Sequence, residues 1–177
     1  VLGLVARRPD LVASWAVDCA GLVHPDHVWH DMARVWQTPG AGEEAVAAMT
    51  DLPAAERAAA YRSLGLPDEV AADMAAACDE AMGRCILELY RGAVPPWGPE
   101  LGHRLAALGP ARPPGLVVLA GEDPYVPADL SADVAARLGA DICDLAGAGH
   151  WWMLTDPEPV ADALVDFWST RPGGTPS

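Results

Sequence analysis

The fold of this 177-residue chain is decided by one stretch near its end, Gly147-Ala148-Gly149-His150-Trp151-Trp152-Met153-Leu154-Thr155-Asp156-Pro157-Glu158-Pro159. The apolar segment before it, Ile142 to Leu145, predicts a buried strand. Asp156 as N-cap and Pro157 at the first helical position predict that a helix follows. Every fourth position of that helix is apolar: Val160, Leu164 and Trp168. His150 is therefore predicted in a loop at the carboxyl end of a strand, where open α/β sheets place ligands and catalytic groups.

A second unit of the same kind precedes the first. The apolar strand Leu116 to Ala120 runs into an acidic loop, Gly121-Glu122-Asp123-Pro124-Tyr125-Val126-Pro127. The helix after this loop ends at Gly139 and has one apolar face: Val126, Leu130, Val134 and Leu138. Parallel strands joined by a right-handed crossover bring Asp123 and His150 to the same edge of the sheet. Neighbouring strands lie about 4.8 Å apart, so a hydrogen bond between the carboxylate and the imidazole is feasible.

Composition and charge restrict the class of protein and its partners. A hydrophobic content of 51% excludes a disordered chain, and no apolar run has the length of a membrane span. The net charge is −14, and every basic residue is an arginine. Such a surface repels phosphate backbones and anionic lipids. Nucleic-acid and membrane partners are therefore not expected.

Cysteine and histidine spacing gives no pattern of a metal centre. The chain has four cysteines, Cys19, Cys78, Cys85 and Cys143, and their spacing shows no paired or ligand-like pattern. Three of the four lie in apolar contexts. This usage indicates a reducing compartment, the cytoplasm. His24, His27 and His30 are three residues apart, but no carboxylate–histidine pattern completes a ligand set, so we interpret them as exposed histidines at a helix start. No metal or other cofactor is expected.

The amino-terminal residues continue the α/β pattern. Val1 to Asp10 indicates the end of a helix that Pro9 stops, and Leu11 to Asp18 indicates a further strand. Asp18 closes this strand at the same carboxyl edge as Asp123 and His150.

Residues 24–111 break the α/β rhythm and are predicted to be helical. Helices are expected from about Glu43, from about Pro53 to Leu64, and from Glu100 to Leu108. A long helix is expected to begin near Pro67. Its apolar stripe indicates core packing: Val70, Met74, Ala77, Met82, Ile86 and Leu89.

The two loops resemble the acid and histidine loops of the α/β-hydrolase fold. The motifs are G-E-D-P-Y-V-P at 121–127 and A-G-H-W-W-M-L-T-D-P-E-P-V-A-D-A-L at 148–164. In that family the chain order is nucleophile, acid, histidine. The resemblance implies that Asp123 is the acid and His150 the general base. The spacing from Asp123 to Pro127 favours Asp123 over Glu122, although the glycine-to-aspartate spacing is one residue shorter than in the family.

Asp18 is the alternative acid, because some members of the family place their acid after this earlier strand. The other interpretation is a loop aspartate that caps the strand end or lines the site.

The resemblance also implies that the nucleophile is missing. In the family, a helix–proline–strand sequence such as residues 1–18 directly follows the nucleophile elbow, G-x-S-x-G, and this motif occurs nowhere in the chain. The implied fold class is α/β, the C-terminal portion of an α/β-hydrolase fold with about three parallel strands and an inserted helical cap. The implied division is core at 1–23, cap at 24–111, core at 112–170 and a disordered tail at 171–177. The expected partners are the missing N-terminal half and a small-molecule substrate.

In this family a cap shapes the substrate pocket. Candidate pocket walls in the helical segment are Trp29, Trp36, Met49, Tyr61, Tyr90 and Trp97, each of which also suits a helical core. Candidate substrate-binding residues are Asp18, Trp29, Trp36, Tyr125, Trp151 and Trp152. The implied function is hydrolysis of a small, fairly apolar ester, lactone or related compound, and the isolated fragment is expected to be inactive. The alternatives are a non-catalytic binding fragment, or dehalogenase or epoxide-hydrolase chemistry if the missing nucleophile is an aspartate.

Overall fold

The computed structural model describes residues 1–170, so the tail predicted at 171–177 lies outside the described residues. The chain forms two compact units. One comprises Val1–His27 and the chain from Pro96 onward, and the other is Val28–Pro95. The first, called the sheet unit below, contains all three strands of the described chain; the second, the helical unit, contains only helices. The role of the helical unit as a cap stays a prediction.

Helices dominate the described residues. In chain order they are α1 (Leu2–Arg7), α2 (Asp31–Gln37), α3 (Ala41–Asp51), α4 (Ala54–Ser63), α5 (Asp68–Ala77), α6 (Glu80–Arg91), α7 (Trp97–Ala107), α8 (Ala128–Leu138), α9 (Trp152–Thr155) and α10 (Glu158–Ser169). None of these helices is long and apolar enough to cross a membrane.

The sheet has three parallel strands in the order β1 (Trp15–Val17), β2 (Gly115–Ala120) and β3 (Asp141–Leu145). Every residue of β2 is buried, as expected for a central parallel strand between helices. Val117 pairs with Val17 on one side and Ile142 on the other. The parallel arrangement places the carboxyl ends of all three strands at one edge, as the sequence predicts.

The core of the sheet unit lies between the sheet and helices α1, α7 and α8. It contains the fully buried side chains of Val5, Leu105 and Val117. Trp15 completes this core, and its indole Nε1–H donates to the carbonyl of Pro113 at 2.9 Å. The closest approach in the unit is at Gly115, where a Cβ would lie 2.1 Å from the Trp15 ring. Glycine at this position therefore leaves room for the indole at the start of β2.

Two strand predictions are wrong in detail. The strand predicted over Leu11 to Asp18 is only three residues long, because Pro9–Leu11 forms a 3₁₀ turn that delays its start. β3 is not buried, and its Ile142 is 47% exposed. The reason is its position at the edge of the described sheet, where β2 is its one neighbour.

Helix boundaries also differ from the predictions. The long helix expected from Pro67 is two helices, α5 and α6, because Cys78 is extended and Asp79 caps a new helix by accepting from the Met82 amide at 2.8 Å. The short helix α9 lies inside the histidine loop, and Pro157 rather than Asp156 is the N-cap residue of α10.

The buried face of α10 differs from its predicted stripe. Val160 and Phe167 are buried, while Trp168 is 46% exposed. A step of three residues, rather than four, from Leu164 therefore brings Phe167 to the core side. By contrast, the predicted end of α8 is confirmed, since Gly139 adopts the left-handed conformation there.

Candidate active site

Three loops meet at the carboxyl edge of the sheet. They follow β1 at Asp18, β2 at Gly121 and β3 at Ala146. The sequence predicts this meeting from the parallel topology, and the edge carries the two residues singled out as acid and base.

His150 and Asp123 form a direct hydrogen bond. The imidazole Nδ1 lies 2.8 Å from the carboxylate Oδ2 of Asp123. Because an ionised carboxylate only accepts, Nδ1 carries the proton and Nε2 becomes the proton acceptor of the ring. The Asp123 side chain is 4% exposed and the His150 side chain 28%. The acid is thus shielded from water, while the imidazole reaches the surface of the described residues.

The other carboxylate oxygen of Asp123 is held by its own loop. Oδ1 accepts from the backbone amides of Tyr125 at 2.7 Å and Val126 at 3.2 Å. This local turn is typical of aspartate before a helix. Both oxygens therefore have donors, and the carboxylate is fixed in the orientation that faces His150.

Backbone hydrogen bonds join the acid loop to the histidine loop. The Glu122 amide donates to the Ala148 carbonyl at 2.9 Å, and the Gly121 amide donates to the Leu145 carbonyl at 3.0 Å. A Cβ at Gly121 would lie 2.3 Å from the Ala146 carbonyl oxygen. The close approach of the loops thus requires a glycine here. This close approach of the two loops sets the distance between Asp123 and His150.

Gly121→Ala is expected to lower the free energy of unfolding by about 1–3 kcal/mol, because the added methyl group has to displace backbone rather than a flexible side chain. It is also expected to lower kcat, since the two loops move apart. The matched control is Gly147→Ala in the same histidine loop, where a Cβ meets nothing within 4 Å. Chemical denaturation of both variants measures the difference; equal losses would contradict this explanation.

Cys19 is a site residue that sequence reasoning missed. It has φ 50 and is the one non-glycine residue with positive φ in residues 1–170. Its Sγ lies 3.7 Å from Oδ2 of Asp123 and donates to it. Burial, together with the carboxylates of Asp18 and Asp123, raises the pKa of the thiol well above its ordinary value. At neutral pH Cys19 is therefore a neutral donor to the acid, not an activated nucleophile.

Asp18, the alternative acid, lies beside this cluster and lines a cleft of about 340 Å³ together with Cys19. The cleft walls are largely apolar and include Val17, Leu22 and Leu101. The carboxylate that contacts His150 belongs to Asp123. The geometry thus favours Asp123 for the acid role and leaves Asp18 at the wall of the cleft.

Asp18→Asn is accordingly expected to change kcat/KM by less than about threefold, which corresponds to less than 1 kcal/mol. The change removes a charge and keeps the shape of the side chain. Steady-state kinetics of Asp18→Asn and Asp123→Asn, each compared with the parent protein, measure the change. A larger loss in Asp18→Asn than in Asp123→Asn would assign the acid to the earlier strand.

Aromatic rings flank the imidazole of His150. Tyr125 contacts it edge-to-face with a centroid distance of 4.8 Å, and Trp151 does so from its own loop at 4.9 Å. These contacts restrict rotation of the ring. Trp152 begins α9, and its buried Nε1 has no hydrogen-bond partner among the described residues. Substrate contact by these three aromatic residues stays a prediction.

The two tryptophans proposed as pocket walls lie in the helical unit. Trp29 and Trp36 both contact the ring of Tyr90, with centroid distances of 5.5 and 4.7 Å. They form an aromatic cluster within that unit, and a role in substrate binding stays a prediction for both.

Two of the histidines spaced by three, His24 and His30, have hydrogen-bond partners within the chain. His24 is 5% exposed, so the prediction of an exposed side chain is wrong for it. It is buried because its Nε2 contacts Asp133 Oδ2 at 2.9 Å and its Nδ1 accepts from the Asp26 amide. His30 is the N-cap of α2 and accepts from the Ala33 amide at 3.2 Å. His30 therefore lies at a helix start, as predicted.

Comparisons with known proteins agree with this topology. The family model described as the alpha/beta hydrolase family matches residues 2–163. The chain is similar to a hydrolase from Pseudomonas aeruginosa PA01 (20% identity, TM-score 0.60) and to E-2-(acetamidomethylene)succinate hydrolase (17% identity, TM-score 0.63). It is covered to 94% in both comparisons but spans only 59% and 61% of those chains. No curated protein matches it.

Proposed function

Because this chain belongs to the alpha/beta hydrolase family, we propose that it supplies His150 as general base and Asp123 as acid of a hydrolase whose nucleophile lies outside its 177 residues. The observation that carries the proposal is the 2.8 Å hydrogen bond between His150 Nδ1 and the buried Asp123 carboxylate. This bond orients the imidazole so that Nε2 is available to a nucleophile.

In the proposed mechanism His150 Nε2 takes the proton of a nucleophilic hydroxyl as that oxygen attacks the acyl carbon of the substrate. Asp123 keeps the imidazole in the Nδ1–H form and stabilises the imidazolium that results. The imidazolium then gives its proton to the leaving alcohol. A water molecule repeats the cycle on the acyl-enzyme, and again His150 first accepts and then returns a proton.

The proposed substrate is a small, fairly apolar ester or lactone. The aromatic rings of Tyr125 and Trp151, which flank His150, support this class. The net charge of −14 also disfavours polyanionic substrates. The described cysteines are free thiols, which supports a reducing compartment, and we place the protein in the cytoplasm.

Surface properties support a nucleophile carried by another segment. No G-x-S-x-G motif occurs in the chain. Val1, Leu4 and Leu11 are exposed apolar side chains of the sheet unit. Within the described residues β1 pairs on one side only, with β2. In the proposal, the strand and helix that carry the nucleophile cover this face.

The test is covalent labelling of the intact protein that contains these residues, with a fluorophosphonate that reacts only with activated serines. One serine outside residues 1–177 is expected to be labelled, and His150→Ala is expected to prevent the labelling. If the nucleophile is an aspartate, labelling fails, and single turnover in ¹⁸O-water transfers the isotope to that carboxylate instead. Labelling of a serine within the chain, or labelling that is independent of His150, would contradict the proposal.

The 177 residues expressed alone are expected to be poorly soluble and without esterase turnover. The exposed apolar face and the open edge of β1 favour association between copies. Size-exclusion chromatography and turnover of a short-chain ester measure both properties. Co-expression with the proposed nucleophile segment is the control and is expected to restore them. A monomeric, cooperatively melting and active chain would place the nucleophile inside it.

A further inference from the structure

Three side chains from the three loops of the sheet edge form a set of metal-ligating atoms. The atoms are Cys19 Sγ, Asp123 Oδ2 and His150 Nδ1, and all lie within 4.8 Å of one another. It is the one such group found in the described residues. A thiol, a carboxylate and an imidazole are all ligand types used by zinc in proteins.

The distances suit a tetrahedral cation. Zinc–sulfur bonds of about 2.3 Å and zinc–oxygen or zinc–nitrogen bonds of about 2.0–2.1 Å place neighbouring ligand atoms about 3.4–3.6 Å apart. Cys19 Sγ and Asp123 Oδ2 are 3.7 Å apart, and Asp123 Oδ2 and His150 Nδ1 are 2.8 Å apart. Cys19 Sγ and His150 Nδ1 lie within 4.8 Å of each other, so a cation with water as its fourth ligand would draw this pair together by up to about 1.2 Å and separate the hydrogen-bonded oxygen and nitrogen by about 0.6 Å.

We propose that Cys19, Asp123 and His150 bind a thiophilic divalent cation such as zinc, and that the bound cation inhibits the enzyme. The Asp18 carboxylate precedes Cys19 directly and adds negative charge beside the three ligands. The His150 side chain is 28% exposed, which gives the cation access to the three ligands.

Inhibition follows because the two nitrogens of a neutral imidazole ring share one proton. Coordination uses the lone pair of Nδ1, so the proton of Nδ1 moves to Nε2, and the Cys19 thiol releases its own proton to solvent. A neutral ring that is protonated at Nε2 does not accept a proton from a nucleophile. Coordination also takes Asp123 away from its contact with the ring. The cation thus converts the base into its inactive tautomer.

Cation binding goes beyond the proposed function, and only the inhibition of turnover by the bound cation rests on that function. Binding is tested first, with cobalt(II) as a spectroscopic substitute for zinc in the intact protein. Cobalt is expected to bind in saturable, one-to-one fashion with a thiolate-to-cobalt absorption band, and zinc is expected to displace it.

The variants separate this site from surface binding. Cys19→Ser is expected to abolish the thiolate band. Asp123→Asn, which keeps the thiol, is expected to weaken cobalt binding by at least about a hundredfold. Cys85→Ser is the matched control, because it removes an exposed thiol of the helical unit and is expected to leave binding unchanged. Thermal unfolding checks that each variant is folded. Loss of the band in Cys85→Ser, or its retention in Cys19→Ser, overturns the proposal.

The inhibition arm measures ester turnover with and without zinc, and then after addition of a chelator. Zinc is expected to inhibit reversibly. Turnover of each protein is expressed relative to its own rate without zinc, and the zinc concentration that halves it is expected to be at least about a hundredfold higher for Cys19→Ser. Turnover that resists zinc while cobalt binds at Cys19 overturns the inhibition. An intact protein without turnover that still shows the Cys19-dependent band contradicts the proposed function and leaves the metal site supported.

Discussion

Replacement of His150 by alanine is expected to lower kcat by about 10⁵-fold or more, because the proposed mechanism uses His150 as the proton acceptor in both half-reactions. Among residues 1–170 no other side chain is positioned to replace it: the hydrogen-bonded partner of Asp123 Oδ2 besides His150 is Cys19, whose thiol is a donor. Turnover of a short-chain ester measures the loss. A folded variant with near-normal turnover would contradict the proposal that His150 is the general base.

The control for His150→Ala is His103→Ala, which removes an exposed histidine of α7 in the same sheet unit. It is expected to leave kcat within about threefold of the parent. Free energies of unfolding are measured for both variants, since His150 also packs between Tyr125 and Trp151. If the loss of activity of His150→Ala equals its loss of folded protein, the histidine is structural and not catalytic.

Asp123→Asn is expected to lower kcat by about 10⁴-fold. The amide nitrogen of asparagine cannot accept from His150 Nδ1–H, and no negative charge remains to stabilise the imidazolium. An asparagine oxygen can still accept from the Tyr125 and Val126 amides, so the loop turn is kept while the wrong group faces the ring. Much of the lost activity then reflects an incorrect tautomer rather than a displaced loop.

The matched control is Glu122→Gln, which removes the neighbouring carboxylate of the same loop. Glu122 is exposed and joins the loops through its backbone amide, which the substitution keeps. Its kcat is expected to stay within about threefold of the parent. Steady-state kinetics of both variants at one pH provide the comparison. An equal or larger loss in Glu122→Gln would assign the acid to Glu122.

The meeting of Asp123 and His150 could be predicted from the sequence because it depends on topology. Each residue follows an apolar segment and precedes a helix, and a parallel crossover brings such loops to one edge. The end of α8 at Gly139 could also be predicted, since Gly139 is in the left-handed conformation that glycine favours. The roles of the two residues stay proposals.

The role of Cys19 could not be predicted, because it depends on one backbone conformation. A left-handed cysteine turns its thiol toward Asp123, and no propensity rule assigns that conformation to cysteine. Its position directly after Asp18, at the carboxyl end of β1, was the available signal. The exposure of Ile142 was also unpredictable, since an apolar residue in an edge strand resembles one in a buried strand.

Helix breaks in the helical unit were missed for a related reason. The apolar stripe resumes after Cys78 and Asp79, with a step of five residues from Ala77 to Met82, and therefore predicts one long helix. The break depends on a hydrogen bond of the Asp79 side chain to the Met82 amide, which competes with the continued helix.

The pairing of β1 sets the order in which this sheet can form during synthesis. Trp15 pairs with Gly115, about a hundred residues later in the chain, whereas Asp123 and His150 are 27 residues apart. At about 5–20 residues per second, β1 leaves the ribosome about 5–20 seconds before its partner, but the acid precedes the base by only about 1–5 seconds. The helical unit is made entirely within the longer interval. The acid–base pair is therefore completed within seconds, whereas the ladder between β1 and β2 waits until the whole helical unit has been made.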